Sequence, residues 1–208
     1  MIVQRVPVQG VFETNSYFYV DERSKHGFLI DPGAEPEKLA SYAQSQEWII
    51  EKILLTHGHF DHTGAVEALS ALWKIPYLIH QNGKLYLENP EYNLSHFCGA
   101  DIVLTHATYT EDEIVLAADP SVKLSWLHTP GHTTDSSVLY DEENHTAFVG
   151  DTIFKGSVGR TDFPGGNEVQ LAQSIGRILA LPMQTVLYSG HSLPTSIEEE
   201  RNRYKFVN

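Results

Sequence analysis

The sequence predicts an α+β chain in which two mixed β-sheets pack face to face with helices on the outside. Two observations predict it. Short apolar, β-branched or aromatic stretches come in runs, and single amphipathic helices interrupt those runs in both halves of the chain. The length, 208 residues, corresponds to one domain at roughly 150 residues per domain and is enough to bury a full core. No Pro/Gly/Ser-rich linker or short repeat divides it, so a single domain over 1–208 is expected.

Ile2 to Val6, Tyr17 to Val20 and Gly27 to Ile30 read as strands separated by polar turns, and Asp31-Pro32-Gly33 closes the third with turn chemistry. Glu35 to Gln46 has helical spacing, with Leu39, Tyr42 and Ala43 on one buried face. Ile49 to Leu55 is too short for a helix and suits an interior strand. Thr63-Gly64 opens a second helix whose Val66, Leu69, Leu72 and Trp73 form its apolar stripe. Tyr77 to Ile79 is a short strand, and Asn82 to Leu87 a short helix broken by Asn89-Pro90. The pattern then fades until Asp112. Val122 to Leu127, Ser137 to Tyr140 and His145 to Val149 return to strand character. A helix over Glu168 to Leu179, a strand Thr185 to Tyr188 and a helix near Thr195 to Arg203 finish the chain.

The charge balance is 14 Lys and Arg against 27 Asp and Glu, a formal −13. Such a surface repels phosphate backbones and anionic membranes, so neither nucleic acid nor membrane is an expected partner. A single cysteine, Cys98, excludes an internal disulfide framework and fits a reducing compartment. No secretory signal pattern opens the sequence, and no run of about 18 apolar residues suggests a span, so a cytoplasmic protein is expected.

The strongest local signal is Thr56-His57-Gly58-His59-Phe60-Asp61-His62, directly after an apolar strand. Residues two apart on an extended backbone point the same way, so His57 and His59 can present imidazoles to one ion. Asp61 and His62 join them only if the chain turns, as Gly58 and the following helix start permit. Three further candidates each follow a glycine: His132 in Pro130-Gly131-His132, Asp151 in Gly150-Asp151, and His191 in Gly190-His191. A preceding glycine allows close backbone approach and a sharp turn. Taken singly, each has a bland reading as turn residue, helix cap or buried histidine. Together the seven form an N/O donor set without thiolate, suited to two divalent ions, zinc first, then iron or manganese.

This order of motifs resembles the metallo-β-lactamase-fold superfamily along essentially the whole chain, and within it the glyoxalase II (hydroxyacylglutathione hydrolase) branch and its short bacterial relatives. The resemblance implies an αββα sandwich. It also implies that His57, His59 and His132 hold one ion, Asp61, His62 and His191 the second, and that Asp151 bridges both. The reaction it implies is attack of a metal-bound hydroxide on the acyl carbon of a small-molecule thioester, with Asp61 as the catalytic residue that orients the hydroxide. Two ions about 3.5–4 Å apart lower the pKa of a shared water toward ~7.

Substrate recognition rests on Gly156 to Gly166, which follows Asp151 closely. Arg160 has two readings, a fork for a substrate carboxylate, as the resemblance implies, and a structural partner of Asp162. Two departures point away from an ordinary glutathione pocket. The family continues its last ligand as Gly-His-Glu-Tyr, whereas this chain reads Gly190-His191-Ser192-Leu193. The longer enzymes also carry a C-terminal helical substrate domain, which is not expected here. Gly159-Arg160-Thr161-Asp162-Phe163 resembles in addition the persulfide dioxygenase branch, which implies one iron on His57, His132 and Asp151. Hydrolysis of another ester or a lactone, and a non-catalytic metal-binding role, complete the alternatives.

His26, His80, His96, His106 and His145 lack ligand spacing and are expected at the surface or in turns. His128, four residues before His132, is a candidate for orienting a ligand. Phe60, Tyr86 and Phe154 are candidates for pocket or core. Cys98 reads as inert, and Glu198-Glu199-Glu200 as a solvated helix face.

Overall fold

In the computed structural model, which describes residues 1–204, strands β1 (Ile2–Gln9), β2 (Glu13–Val20) and β3 (His26–Ile30) pair antiparallel in chain order. Pro7 is accommodated because β1 is an edge strand. All of β2 after its first residue is buried, since both of its faces are covered. Tyr17 and Tyr19 join the cluster between the sheets, while Phe18 and Val20 join the cluster under the helices. Helix α1 (Pro36–Ser45) then crosses to β4 (Ile49–Leu55), and α2 (Phe60–Thr63) with α3 (Val66–Trp73) crosses to β5 (Tyr77–His80). After a 3₁₀ turn at Gln81–Gly83 and α4 (Lys84–Glu88), the chain reaches β6 (Thr108–Thr110). These crossovers make β3, β4, β5 and β6 parallel neighbours, and the sheet order is β1-β2-β3-β4-β5-β6.

The second half repeats the plan with β7 (Ile114–Val115), β8 (Lys123–His128), β9 (Ser137–Asp141) and β10 (Thr146–Gly150), then a hairpin of β11 (Ile153–Phe154) and β12 (Ser157–Val158). Helix α5 (Glu168–Leu179) crosses to β13 (Val186–Ser189), which pairs parallel to β10. The Asn167 side chain caps α5 by accepting from the Gln170 amide at 3.0 Å. The chain then runs through β14 (Thr195–Ser196) into α6 (Ile197–Tyr204), giving the order β14-β13-β10-β9-β8-β7.

Between the sheets, Tyr17, Tyr19, Phe28 and Leu54 meet Leu124, Leu139 and Phe148. The Phe148 ring lies 5.5 and 5.4 Å from those of Tyr17 and Tyr19. Outside the first sheet, Leu39, Ala43, Val66 and Leu69 of α1 and α3 pack on Phe18, Leu29 and Ile53. Outside the second, Ile178 and Ile197 pack on Val138, Ala147 and Val149. The result is the expected helix–sheet–sheet–helix layering.

Three local expectations are corrected. Leu72 is 62% exposed; at 100° per residue it falls roughly 90° from the centre of the stripe that Val66, Leu69 and Trp73 define. Thr195 and Ser196 are strand, paired with Leu187 and Val186, and the last helix begins after them. Glu200 is fully buried, accepting from Thr195 Oγ1 at 2.6 Å and the Gly156 amide at 3.1 Å; only Glu198 and Glu199 face solvent. Among the described residues no helix is long and apolar enough to cross a membrane.

Candidate metal centre

The segments that follow β3, β4, β10 and β13 gather at one edge of the sandwich. Backbone hydrogen bonds tie them together: the Ser137 amide to the Thr56 carbonyl (2.9 Å), Gly190 to Gly150 (3.0 Å) and Asn15 to Gly190 (2.7 Å). His57 follows β4 after Thr56. His59 is extended, with φ −64° and ψ 148°, and stands at the N-cap of α2. Asp61 and His62 then sit in the first turn of α2, where neighbours lie about 100° apart and can face one pocket. The required turn is therefore the helix start itself. Gly190 has no room for a side chain, because a Cβ there would strike Asp151 Oδ1 and the His62 ring. Gly150 takes φ +50° and abuts Thr56, a placement no other residue fits as well.

All seven predicted ligands converge. His59 Nδ1 lies 3.2 Å from His57 Nε2 and 3.1 Å from His132 Nε2. A tetrahedral ion with bonds of about 2.0–2.1 Å has ligand edges of roughly 3.3 Å, so this triangle fits one face of such a site. In the neighbouring group, His191 Nε2 lies 3.1 Å from Asp61 Oδ2 and 3.3 Å from Asp151 Oδ2, while His62 Nε2 lies 3.4 Å from Asp151 Oδ1. Asp151 Oδ2 is also 3.8 Å from His132 Nε2, which puts this carboxylate between the two groups. Donor atoms of His57/His59/His132, of His57/His62/Asp151 and of Asp61/His62/His191 each lie within 4.8 Å of one another. His62 Nε2 and Asp151 Oδ1 are buried, face each other and have no hydrogen-bond partner. A cation set between them would satisfy both better than this 3.4 Å contact does. The donor set and its orphaned atoms fit divalent cations.

The far nitrogens are held as well. His132 Nδ1 bonds to the Arg160 carbonyl at 2.8 Å and His191 Nδ1 to the Glu13 carbonyl at 2.8 Å. His62 Nδ1 donates to Asp31 Oδ2 at 3.0 Å. Thr56 Oγ1 also donates to Asp31 Oδ2, at 2.6 Å, which leaves its lone pair for His57 Nδ1 at 3.2 Å. Asp31 thus fixes one imidazole of each group in the tautomer that turns a bare Nε2 toward the site. Its other oxygen accepts from the Thr56 amide at 2.8 Å. From the sequence Asp31 is legible only as a turn residue, its one further signal being an acid placed directly after a buried strand. Asp135 was missed too. It is buried, accepts from the Gly58 amide at 2.9 Å, and burial pushes its carboxyl up to about 7 against the opposing hydrogen bonds.

Burial, reinforced by neighbouring imidazoles, holds His57 well below its ordinary range and pushes His59 down to about 3, so both offer lone pairs. For His62 and His191 burial acts in the same direction, but Asp151 and Asp61 outweigh it; His62 rises well above its usual value and His191 to about 10. The same pairings hold Asp61 and Asp151 below the carboxylate range despite burial. A divalent cation binding among them takes over the role of these imidazolium protons and expels them.

A cleft of about 950 Å³ opens onto the site, with Phe60 and Phe154 in its walls and Cys98 at its side. Arg160 lines it as well, but its guanidinium forks onto Asp162 with two contacts of 2.7 Å and lies 3.9 Å over the Phe163 ring. Of its two sequence readings, the pairing with Asp162 is the one the structure displays. Tyr86 serves the scaffold: its hydroxyl accepts from the Thr134 amide at 3.0 Å and donates to the Pro164 carbonyl at 3.1 Å. His80 is buried rather than superficial, stacked 4.3 Å from His128 at 7° and paired with Glu111 at 2.8 Å. His128 does not orient His132; its Nε2 bonds to the Thr134 carbonyl at 2.9 Å.

A model of the metallo-beta-lactamase superfamily matches residues 9–200. The probable metallo-hydrolase YqgX of Bacillus subtilis is 35% identical over 99% of this chain and 97% of its own length. The hydroxyacylglutathione hydrolase GloC of Haemophilus influenzae is 30% identical, covering 100% of this chain and 99% of its own. Among solved structures, the B3 metallo-beta-lactamase BLEG-1 superposes with a TM-score of 0.90 at 33% identity, covering all of both chains. TTHA1623 in a di-iron-bound form superposes with 0.83 at 33% identity, covering 97% of this chain and 99% of that one. Matching motifs, layering and whole-length similarity agree, and the chain belongs to the metallo-beta-lactamase superfamily.

Proposed function

We propose that this chain is a dinuclear metal-dependent hydrolase that cleaves a thioester of the hydroxyacylglutathione type. The observation that carries the reading is the meeting of six donor residues, from segments between residues 57 and 191, around a seventh, the Asp151 carboxylate. In this reading His57, His59 and His132 hold one ion, Asp61, His62 and His191 the other, and Asp151 both. Zinc is the first choice; iron and manganese suit the same donors. When bound, two such ions supply Lewis acidity toward a carbonyl oxygen and an ionised water at neutral pH.

The chain's own groups do the rest. Asp61, 3.1 Å from His191 Nε2 through Oδ2, accepts a hydrogen bond from the attacking water and orients it. The carbonyls of Arg160 and Glu13 keep His132 and His191 from rotating. The cleft beside the site receives the substrate. The relative named hydroxyacylglutathione hydrolase, matched end to end, supports a thioester as the bond cleaved.

The test is metal analysis of the purified protein together with hydrolysis of S-lactoylglutathione. Two divalent ions per chain with turnover are expected, and His59→Ala and Asp61→Ala should each lose metal and turnover together. Turnover retained after full metal loss would refute the mechanism, and two ions without cleavage of any thioester would remove the substrate class. A second reading is the iron-dependent persulfide dioxygenase on His57, His132 and Asp151. The Gly159–Phe163 motif favours it, and iron suits the fold, since TTHA1623 is a di-iron-bound form, although with two ions rather than one. Oxygen uptake with glutathione persulfide separates the two.

A further inference from the structure

The cleft beside the metal centre has a chemistry the thioester reading leaves unused. Its outer wall is built from aromatic and aliphatic side chains that remain open to solvent: Phe97 is 70%, Val11 57% and Phe12 54% exposed. Large apolar groups clustered in the open around a concave site mark a place where another apolar group binds. Further rings line the same cleft closer to the centre. The Phe12 ring lies 6.0 Å from Phe60, Phe154 lies 6.2 Å from the His191 ring, and Phe163 lies 6.2 Å from the His59 ring.

The charges point the same way. Among the described residues the lining holds one permanent cation, Arg160, and its Nε and Nη2 already donate to Asp162. Glu13 also lines the cleft, in a chain of net charge −13. Glutathione, net −1 with two carboxylates and one ammonium, finds no unpaired cation among these side chains apart from the proposed ions, and the acidic field of the chain does not draw it in. An uncharged aryl or alkyl group loses nothing to this field and gains from covering the exposed rings.

We infer that, among thioesters, the cleft favours an apolar, uncharged leaving thiol, aryl or alkyl, seated against Phe12 and Phe97, over glutathione. This rests on the proposed function only for the nature of the bond cleaved. The test uses the metal-loaded protein and one acyl group, lactoyl, on two thiols, benzyl mercaptan and glutathione. The benzyl thioester is expected to have a kcat/KM at least about tenfold higher. Phe12→Ala and Phe97→Ala, at exposed positions, should each lower that value several-fold while moving the glutathione thioester less than about twofold. Binding is measured separately by calorimetry with two uncleavable thioethers, S-benzyl-N-acetylcysteamine and S-methylglutathione.

Tighter binding of the benzyl thioether supports the inference even if neither thioester is cleaved, in which case the thioester reading fails alone. A preference for the glutathione compounds in rate and binding, or no binding of the benzyl thioether, overturns the inference and leaves the metal-dependent hydrolysis standing.

Discussion

Replacing Asp31 with asparagine changes no shape and reverses a hydrogen-bond circuit. In the native chain, His62 Nδ1–H and Thr56 Oγ1–H both donate to Asp31 Oδ2, and Thr56 Oγ1 accepts from His57 Nδ1–H. If the amide oxygen of the substituted side chain keeps the bond from the Thr56 amide, its NH₂ occupies the place of Asp31 Oδ2. The two hydrogens of that NH₂ then point at Thr56 Oγ1 and His62 Nδ1. Thr56 must turn its own hydrogen toward His57, and both histidines must move their protons to Nε2, the atoms facing the site. The alternative is to flip the amide, which sets its NH₂ against the Thr56 N–H and leaves a buried donor unpaired at about 1–3 kcal/mol. Either route costs enough to weaken metal binding roughly 10- to 100-fold, the usual range for an outer partner of a ligand. The assay is chelator competition for zinc by wild type and Asp31→Asn, with urea unfolding of both to confirm the fold. Affinities equal within about twofold would refute the tautomer argument, whatever happened to stability.

Gly190→Ala places a methyl group against Asp151 Oδ1 and the His62 ring. It should cost at least about tenfold in zinc affinity by the same competition assay, with an unchanged far-UV spectrum. Phe148→Ala empties the space between Tyr17, Tyr19 and Tyr188 and should lower unfolding free energy in urea by about 3–5 kcal/mol. Asp135→Asn keeps an acceptor for the Gly58 amide while removing a buried acid. Because the folded carboxyl is raised from 3.8 to about 7, its contribution is intact below about pH 4 and lost as pH rises through 7. The variant should therefore gain on wild type between pH 4 and pH 8, by on the order of 4 kcal/mol at most. Urea titrations at several pH values check this, and parallel pH profiles would contradict it.

The parts of the fold legible in the sequence are those whose signal is local. Ile49–Leu55 and Glu168–Leu179 fall where the apolar spacing puts them, because each buries a regular face. β6, β7, β11, β12 and β14 are two or three residues long, too short for any period to appear; they exist because a neighbouring strand offers unpaired backbone groups. The proposed ligands are legible for a related reason. Four of them stand within six residues, and the other three follow glycines that tight packing demands. Asp31 carries no such mark. Its role depends on β3 lying parallel to β4 in the register that pairs Ile30 with Leu54, which brings Thr56 within reach of Asp31 only once the sheet has closed. Glu200 misleads for the opposite reason: a run of three acids reads as solvated, and only the turn from β14 into α6 carries the third one inward to Thr195 and Gly156.

The centre is therefore a product of sheet registers more than of any one loop. The first sheet contributes Asp31 and the His57–His62 segment, and the second contributes His132, Asp151 and His191. Their alignment is set where the sheets are laced together: Asn15 Nδ2 and Tyr17 Oη both donate to the Ser189 carbonyl, at 2.9 and 2.7 Å, and the Ser137 amide donates to Thr56. A one-residue slip in β4 would send Leu54 out of the inter-sheet core and carry His57 away from His132 at the same time. Core packing and ligand placement thus select the same register. That shared dependence explains how donors as far apart in sequence as His57 and His191 meet within ångströms without a disulfide among the described residues to hold them.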